Sequence, residues 1–389
     1  MRTTFNTIVL GLGGIGSSAA YWLSRRLGAD VLGIEQFEFN HARGESHDHT
    51  RIIRHSYHTA SYVELTKHAY AAWRALEADS GQRLIVTTGG LDLAPREGAA
   101  IRLMNYSESL SAAGIAHEVL DGMEIAKRWP QFNVDERQHG VFQADGGIAT
   151  PELSNRAHLR MAREHGATLI DNAPVAHIED RNGEISVRAG DQTFTCKKLV
   201  IAAGPWTNNA LAHLGRTLPL EVSREQVVYF DSPHINDFLI GRFPVWIWMD
   251  DPCFYGFPVY GHHGVKLAQD CGGYITTGDT RSFDPDPANF QRVHDFAARY
   301  MPRALGPSHL IKTCLYTLTP DRDFVLDTLP EHPNVSVAIG AGHAYKFASV
   351  LGKILSELAI DGATPCDIDA LNFDRHLLTL SDPPKSYSQ

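Results

Sequence analysis

Nothing in this chain offers a disulfide framework. It has five cysteines in 389 residues, at Cys196, Cys253, Cys271, Cys314 and Cys366, with no Cys-x-x-Cys spacing. An odd, scattered set excludes both a cystine-stapled fold and a zinc ribbon, and fits a reducing compartment. Long apolar runs are missing too: none approaches the roughly 18–20 residues that cross a bilayer. No charged leader precedes an apolar segment. The chain runs almost directly into Thr7-Ile8-Val9-Leu10, which reads as a strand of the fold. The terminal Lys-Ser-Tyr-Ser-Gln is not a peroxisomal address. A cytoplasmic protein without a membrane role is expected. There is no Lys/Arg run, and the net charge is −10, which disfavours nucleic acid as a partner.

What remains is ordinary globular composition, 43% hydrophobic and 21% charged. The length suggests two domains. Neither repeats nor a flexible linker mark a boundary, so a nucleotide-binding half built from separated segments, with a β-rich insert, fits best. Apolar residues at helical spacing (Tyr62, Leu65, Ala69, Ala72, Trp73, Leu76) predict a helix over 60–79. Other helices are expected from Arg96 to Ala113, from Thr150 to near Gly166, over 288–301, and from about Phe347 to Ile360. Thr150-Pro151-Glu152 supplies a capping hydroxyl, a proline at the first helical position and an acid. Strands are expected at Leu91–Leu93, Leu199–Ala203, Val227–Phe230, Val245–Trp248, Val265–Leu267, Cys314–Leu318, Phe324–Leu326 and Val335–Ile339.

The first 35 residues read as a βαβ unit. Gly11-x-Gly13-x-x-Gly16 follows the first strand and opens an Ala-rich helix. Gly11 allows the tight turn, Gly13 lets the backbone approach a pyrophosphate, and Gly16 permits close helix–strand packing. The helix start presents free N–H groups to the phosphates. Glu35 lies 19 residues past Gly16, at the end of the second strand Val31–Ile34, where a carboxylate accepts hydrogen bonds from a ribose diol. A 2′-phosphate would be repelled there, so NADP is disfavoured. The motif alone does not choose between NAD and FAD.

Five further segments bear on that choice. They are His47-Asp48-His49-Thr50-Arg51-Ile52-Ile53-Arg54, Tyr255-Gly256-Phe257-Pro258, Gly264-Val265-Lys266-Leu267, Cys314-Leu315-Tyr316-Thr317-Leu318-Thr319-Pro320-Asp321 and Gly342-His343-Ala344-Tyr345-Lys346-Phe347. In this order, over nearly the whole chain, they resemble the monomeric sarcosine oxidase and N-methyltryptophan oxidase family, within the D-amino-acid-oxidase-like flavoproteins. The resemblance implies an α/β (α+β) fold with a Rossmann-like FAD-binding domain over residues 1–85, 145–215 and 314–389. The β-rich substrate-binding domain is then expected over 86–144 and 216–313.

It also implies FAD, bound covalently through Cys314 by a thioether. Gly11, Gly13, Gly16, Glu35, Thr50, Arg51, Val175, Gly204, Gly342, His343 and Lys346 complete the expected cofactor site. Arg54 and Lys346 match the pair that holds the substrate carboxylate, and Tyr255 and Tyr316 are expected to line the pocket. Lys266 matches the lysine that promotes reaction with oxygen, and Arg51 and His47 match the loop that crosses the flavin. Asp270 joins this expected catalytic group as a departure, because the sarcosine oxidases carry a histidine there. Read without the resemblance, Cys314 is equally a small buried strand residue, and strand alternation lets Lys266 point to solvent.

The implied activity is oxidation of a secondary amine, an N-methyl amino acid, by a monomeric enzyme. It yields hydrogen peroxide and an imine that water hydrolyses to aldehyde and amine. Alternatives stay open: an oxidase of N-methyltryptophan, pipecolate or a sugar–amino-acid adduct, a flavin dehydrogenase, a nicotinamide-linked dehydrogenase, or a non-catalytic flavin-binding protein. No general base is assigned.

Overall fold

The structure is a computed structural model and describes residues 2–97, 100–181 and 183–386. Strand Thr4–Leu10 carries a run in which Ile8 and Val9 are fully buried and Leu10 almost so. Near-continuous burial is what a strand covered on both faces requires. Gln192–Ile201 and Val31–Ile34 lie parallel on its two sides, with Leu10 beside Ile201 and Ile34. The sheet reaches eight strands. Thr168–Ile170 lies outside Val31–Ile34, and the hairpin Val175–Arg181/Glu184–Ala189 lies beside Gln192–Ile201. Val335–Ile339 also pairs parallel with Gln192–Ile201.

Helix Gly14–Leu27 packs against both Pro151–Glu164 and Ala348–Asp361. The second contact is close because Gly352 faces it: a Cβ there would lie 2.3 Å from Ser18 Oγ. Helix Ala60–Ser80 buries all six of the residues that predicted it and is capped by the Thr59 hydroxyl accepting from the Tyr62 N–H. A nine-stranded sheet forms the second layer of the molecule. Its longest pairing sets Glu221–Phe230 against Ser308–Leu318, with Cys314 opposite Glu225 and Tyr316 opposite Ser223. On its other side Glu221–Phe230 pairs with Val265–Gln269, placing Lys266 opposite Tyr229. A three-stranded sheet, Arg51–Ile53, Gly147–Ala149 and Ile85–Thr87, pairs with neither large sheet but packs Ile52 and Ile148 against Val245 and Phe257 of the nine-stranded one.

Several expectations shift in detail. Helix Ala100–Ala112 begins after the expected Arg96; positions 98–99 lie outside the described residues. Thr150 does stand at the start of Pro151–Glu164, but its hydroxyl does not cap the helix. It donates to the Leu84 carbonyl instead, at 2.9 Å. The expected division at 313/314 falls inside strand Ser308–Leu318, whose residues on both sides of that point pair with Glu221–Phe230. The expected strand Phe324–Leu326 forms as Val325–Thr328, and Leu199–Ala203 as the end of Gln192–Ile201. The hairpin over 175–189 was not expected; its polar outer positions blur the alternation that marks strands.

Candidate active site

Two cavities, of about 1270 and 1050 Å³ with the open solvent they include, share Gly14, Ile15, Glu45, Ser46 and Gly340 in their walls and so adjoin as one slot. The larger begins at the glycine turn. Gly11 has φ +79°, and a Cβ there would meet the Ala202 carbonyl oxygen at 2.6 Å. A Cβ on Gly16 would lie 1.8 Å from the Gly11 carbonyl oxygen, so the helix can start this close only on glycine. Gly13 adopts extended backbone before the helix, and the Gly14 N–H donates to Ser46 Oγ at 2.9 Å.

Glu35 is buried at the end of its strand, accepting from the Leu12 N–H at 2.8 Å and the Phe37 N–H at 3.2 Å. Burial works against its charge. His41 and these two N–H donors outweigh burial and hold the carboxyl below its ordinary range. Gly11, Gly13, Glu35, Val175 and Gly204 all line this cavity; Gly16 stands behind its wall.

The smaller cavity contains the expected substrate residues. Arg54 follows strand Arg51–Ile53 and pairs with Asp92 of strand Gly90–Pro95, its guanidinium lying over the rings of Tyr57 and Tyr106. Burial works against the Arg54 charge, but Asp92 outweighs it and holds the guanidinium above its ordinary pKa. Lys346 sits in the single turn Ala344–Phe347, where its Nζ donates to the Tyr57 hydroxyl at 3.0 Å and the His343 carbonyl at 2.9 Å. Tyr255 and Tyr316 stand side by side with hydroxyls 3.4 Å apart. Before this turn Ala341 (φ 47°) and Gly342 (φ 80°) are both left-handed, which turns the chain tightly, with Gly342 against the Tyr316 ring.

Asp270 reaches the same cavity but is not a free acid. It accepts from Arg322 Nη1 at 2.7 Å, and the buried Arg322 lines the wall with it. Asp270, expected in the catalytic group, therefore meets the cavity already paired with a cation of the chain itself.

Around the junction of the cavities Arg51 lines the wall, with its guanidinium donating to the Thr50 and Glu45 carbonyls at 2.9 and 2.8 Å. His47 is buried with Nε2 unpartnered, and burial, then Arg51, pushes it down to about 3, so it is neutral at physiological pH. Burial pushes the Cys314 thiol up to about 11, with the Arg51 charge pulling the other way.

Lys266 points inward, not to solvent. Its ammonium donates to Asp48 Oδ2 at 2.6 Å and Thr50 Oγ1 at 2.7 Å, and sits 4.8 Å from the Phe257 ring centre. Burial brings its pKa down to about 8 in spite of Asp48. His47, Thr50, Lys266 and Cys314 are not among the residues lining either cavity; they form the layer behind the wall.

Sequence reasoning passed over Asp48, Tyr57, Asp92 and Arg322. Asp48 also accepts from Tyr229 Oη at 2.8 Å and Lys312 Nζ at 3.1 Å. Its φ of 79° is rare for a non-glycine residue, and only its place inside the His47–Arg54 segment could have drawn attention to it. Arg322 directly follows the Thr319-Pro320-Asp321 segment and was equally within view.

With this geometry in place, comparison with known proteins is informative. The pattern of a family described as FAD dependent oxidoreductase matches residues 6–358. The chain is 32% identical over 386 residues to monomeric sarcosine oxidase of Bacillus sp. (strain NS-129), covering 97% of this chain and 98% of that protein. It is 30% identical over 382 residues to N-methyl-L-tryptophan oxidase of Yersinia pestis (strain Pestoides F), covering 95% and 99%. The solved open form of NikD, an unusual amino acid oxidase essential for nikkomycin biosynthesis, superposes with a TM-score of 0.83 at 25% identity, covering 95% and 98%.

Proposed function

The chain belongs to the family of FAD-dependent oxidoreductases, and on that premise we propose that it is an oxidase of a secondary amine, an N-alkyl amino acid. The observation that carries this reading is the convergence of Arg54, Lys346, Tyr255 and Tyr316 on one cavity that adjoins the cavity at the glycine turn. The slot suits FAD: Gly11 and Gly16 let the helix start close against the strand so that the turn Gly11–Gly14 lines the larger cavity, and Glu35 in the same wall is held ionised for a ribose. FAD, when bound, supplies the two-electron oxidation of the amine and the reduction of oxygen to hydrogen peroxide.

The chain's own groups bind and orient. Arg54 offers a guanidinium fork to the substrate carboxylate, and Lys346 adds a point charge. Tyr255 and Tyr316 wall the site against water. The imine product is hydrolysed to an aldehyde and an amine; an N-methyl substrate gives formaldehyde and the free amino acid. We assign the eight-stranded sheet and its helices to cofactor binding, and the nine-stranded sheet to the substrate. We read the enzyme as a cytoplasmic monomer. Among the described residues no helix is long and apolar enough to cross a membrane.

Two finer assignments belong to this proposal. Cys314 carries the flavin through a thioether, for which Arg51 lowers the cost of the thiolate against burial. Acid precipitation of the holoenzyme tests it: flavin in the pellet, absent with Cys314→Ala, supports the link, and flavin in the supernatant removes it. Lys266 supplies the fixed positive charge that favours reaction with oxygen. One observation favours a second reading, a dehydrogenase serving an electron carrier: Lys266 stands behind the wall with Asp48 and Thr50 on its nitrogen.

An oxygen electrode with N-methylglycine, N-methyltryptophan and pipecolate tests the activity. Oxygen uptake matched by peroxide supports an oxidase. Turnover only with an added electron acceptor supports the dehydrogenase. No turnover with either removes the amine-oxidising reading.

A further inference from the structure

Four basic side chains, Arg51, Arg54, Arg322 and Lys346, line the smaller cavity. Arg51 donates to the Thr50 and Glu45 carbonyls, and two carboxylates answer two of the others. Asp92 pairs with Arg54, and Asp270 with Arg322. Lys346 has no carboxylate partner among the described residues; its nitrogen meets the Tyr57 hydroxyl and the His343 carbonyl.

The directions of these hydrogen bonds follow one from another. The Arg322 carbonyl can only accept, so His343 Nε2, 2.8 Å away, carries the hydrogen. Burial above all, with Arg322 also acting against a second cation, holds His343 well below its ordinary pKa, so the ring is neutral and Nδ1 is bare. The Tyr57 hydroxyl, 3.2 Å from Nδ1, donates to it, and its oxygen accepts from Lys346. The His343 carbonyl also only accepts. Lys346 thus faces two acceptors, the number of hydrogens on a neutral amine, and its remaining tetrahedral position is left for the cavity it lines.

The surroundings favour the same state. Burial, then the Arg54 charge, pushes the Lys346 ammonium well below the usual lysine range. Asp270 and Asp92 pull the other way, but each already neutralises a guanidinium. The other titratable groups in the cavity wall are Tyr106, which lies beside Arg54, and Glu45, Arg51, Cys253, Tyr255, Tyr316 and Tyr345.

We propose that Lys346 meets the substrate as a neutral amine and takes the ammonium proton of the incoming amino acid, whose carboxylate then pairs with the lysinium so formed. This rests on reading the cavity as an amino-acid site. One N–H bond breaks on the substrate nitrogen and one forms on Lys346 Nζ. No electrons are transferred between molecules, and the net charge of the complex is unchanged. The substrate is left as the free base that amine oxidation needs, although in water at neutral pH it is an ammonium. Carboxylate binding and amine deprotonation become one event.

The test is calorimetric and needs no turnover. Propionate, a carboxylate with no proton to give, is titrated into holoenzyme at neutral pH in two buffers of different ionisation enthalpy. The expected result is uptake of about one proton per bound propionate, with affinity falling about tenfold per pH unit above the lysine's own titration. Lys346→Arg should bind propionate with no proton uptake and no such pH dependence, because guanidinium is always charged. Binding to the wild-type protein without proton uptake overturns the proposal while leaving the carboxylate site intact. No propionate binding, or binding indifferent to both Arg54→Met and Lys346→Met, overturns the reading of the cavity itself and the proposal with it.

Discussion

At the scale of single residues, the buried charges are the most exacting feature. Lys266 and Asp48 are both almost wholly buried, and Asp48 serves Lys266, Lys312 and Tyr229 at once. Breaking a buried pair strands the remaining charge, which costs about 3–5 kcal/mol. Asp48→Asn should lower unfolding stability by that order in urea titrations. Adding Lys266→Met should recover part of the loss, because the stranded cation is then gone. Stability unchanged in Asp48→Asn would remove the claim that this carboxylate holds Lys266.

His158 makes a complementary case with a definite pH signature. It lies on helix Pro151–Glu164, fully buried against Trp73 and Tyr21, with both ring nitrogens unpartnered. Burial lowers its pKa from 6.5 to about 3. The unfolded chain therefore binds the proton at a higher pH than the native one, and stability falls as pH drops through that window. His158→Phe should lose less stability than the wild type between neutral pH and a pH midway between those two values. Equal losses in both proteins would show that His158 is not held neutral.

Elements, rather than residues, decide how the slot is shaped. The turn between Thr4–Leu10 and Gly14–Leu27 has no room for a side chain at Gly16, where a Cβ would lie 1.8 Å from a carbonyl oxygen. Gly16→Ala must move the helix start away from the strand and so open the phosphate cradle. The expected outcome is a folded protein whose flavin-to-protein ratio falls at least tenfold, checked by absorbance beside circular dichroism. A variant with full flavin would show that the cradle is not where the cofactor is held.

This turn, with Glu35 at the next strand end, was legible in the sequence because its residues are close along the chain and each type has one geometric task. Arg54, Cys314 and Lys346 were legible through the segments around them. Their partners were not. Asp92 lies 38 positions from Arg54 and Asp48 218 from Lys266, and no local pattern announces such pairings. The inward direction of Lys266 was hidden for another reason: all of Val265–Ala268 is buried, so this strand has no solvent face for alternation to reveal. The Asp270–Arg322 pair shows the same limit, since only the fold brings the two turn segments together.

For the molecule as a whole, charge is segregated. The net charge is −10, yet Arg51, Arg54, Arg322 and Lys346 all line one internal cavity. Such a cavity favours an anionic group of a small substrate over a neutral one, whatever the outer surface carries. Because the slot runs between the two large sheets, ligand binding there should stabilise both together. FAD-depleted Cys314→Ala protein should gain about 2.7 kcal/mol of stability at 100-fold excess of FAD over its dissociation constant, seen as one shifted thermal transition. Two transitions, only one of them shifted, would mean that the sheets unfold separately.

The most direct measurement is anaerobic mixing of the holoenzyme with an N-methyl amino acid and, separately, with the matching N-methyl amine that lacks the carboxylate. Oxygen is absent, so bleaching of the flavin absorbance reports amine oxidation alone. The expected result is bleaching by N-methylglycine or a bulkier N-alkyl amino acid, none by the plain amine, and severe slowing in Arg54→Met. Bleaching by no N-alkyl amino acid, or equal bleaching by the plain amine, would contradict an oxidase built around a carboxylate-binding cavity.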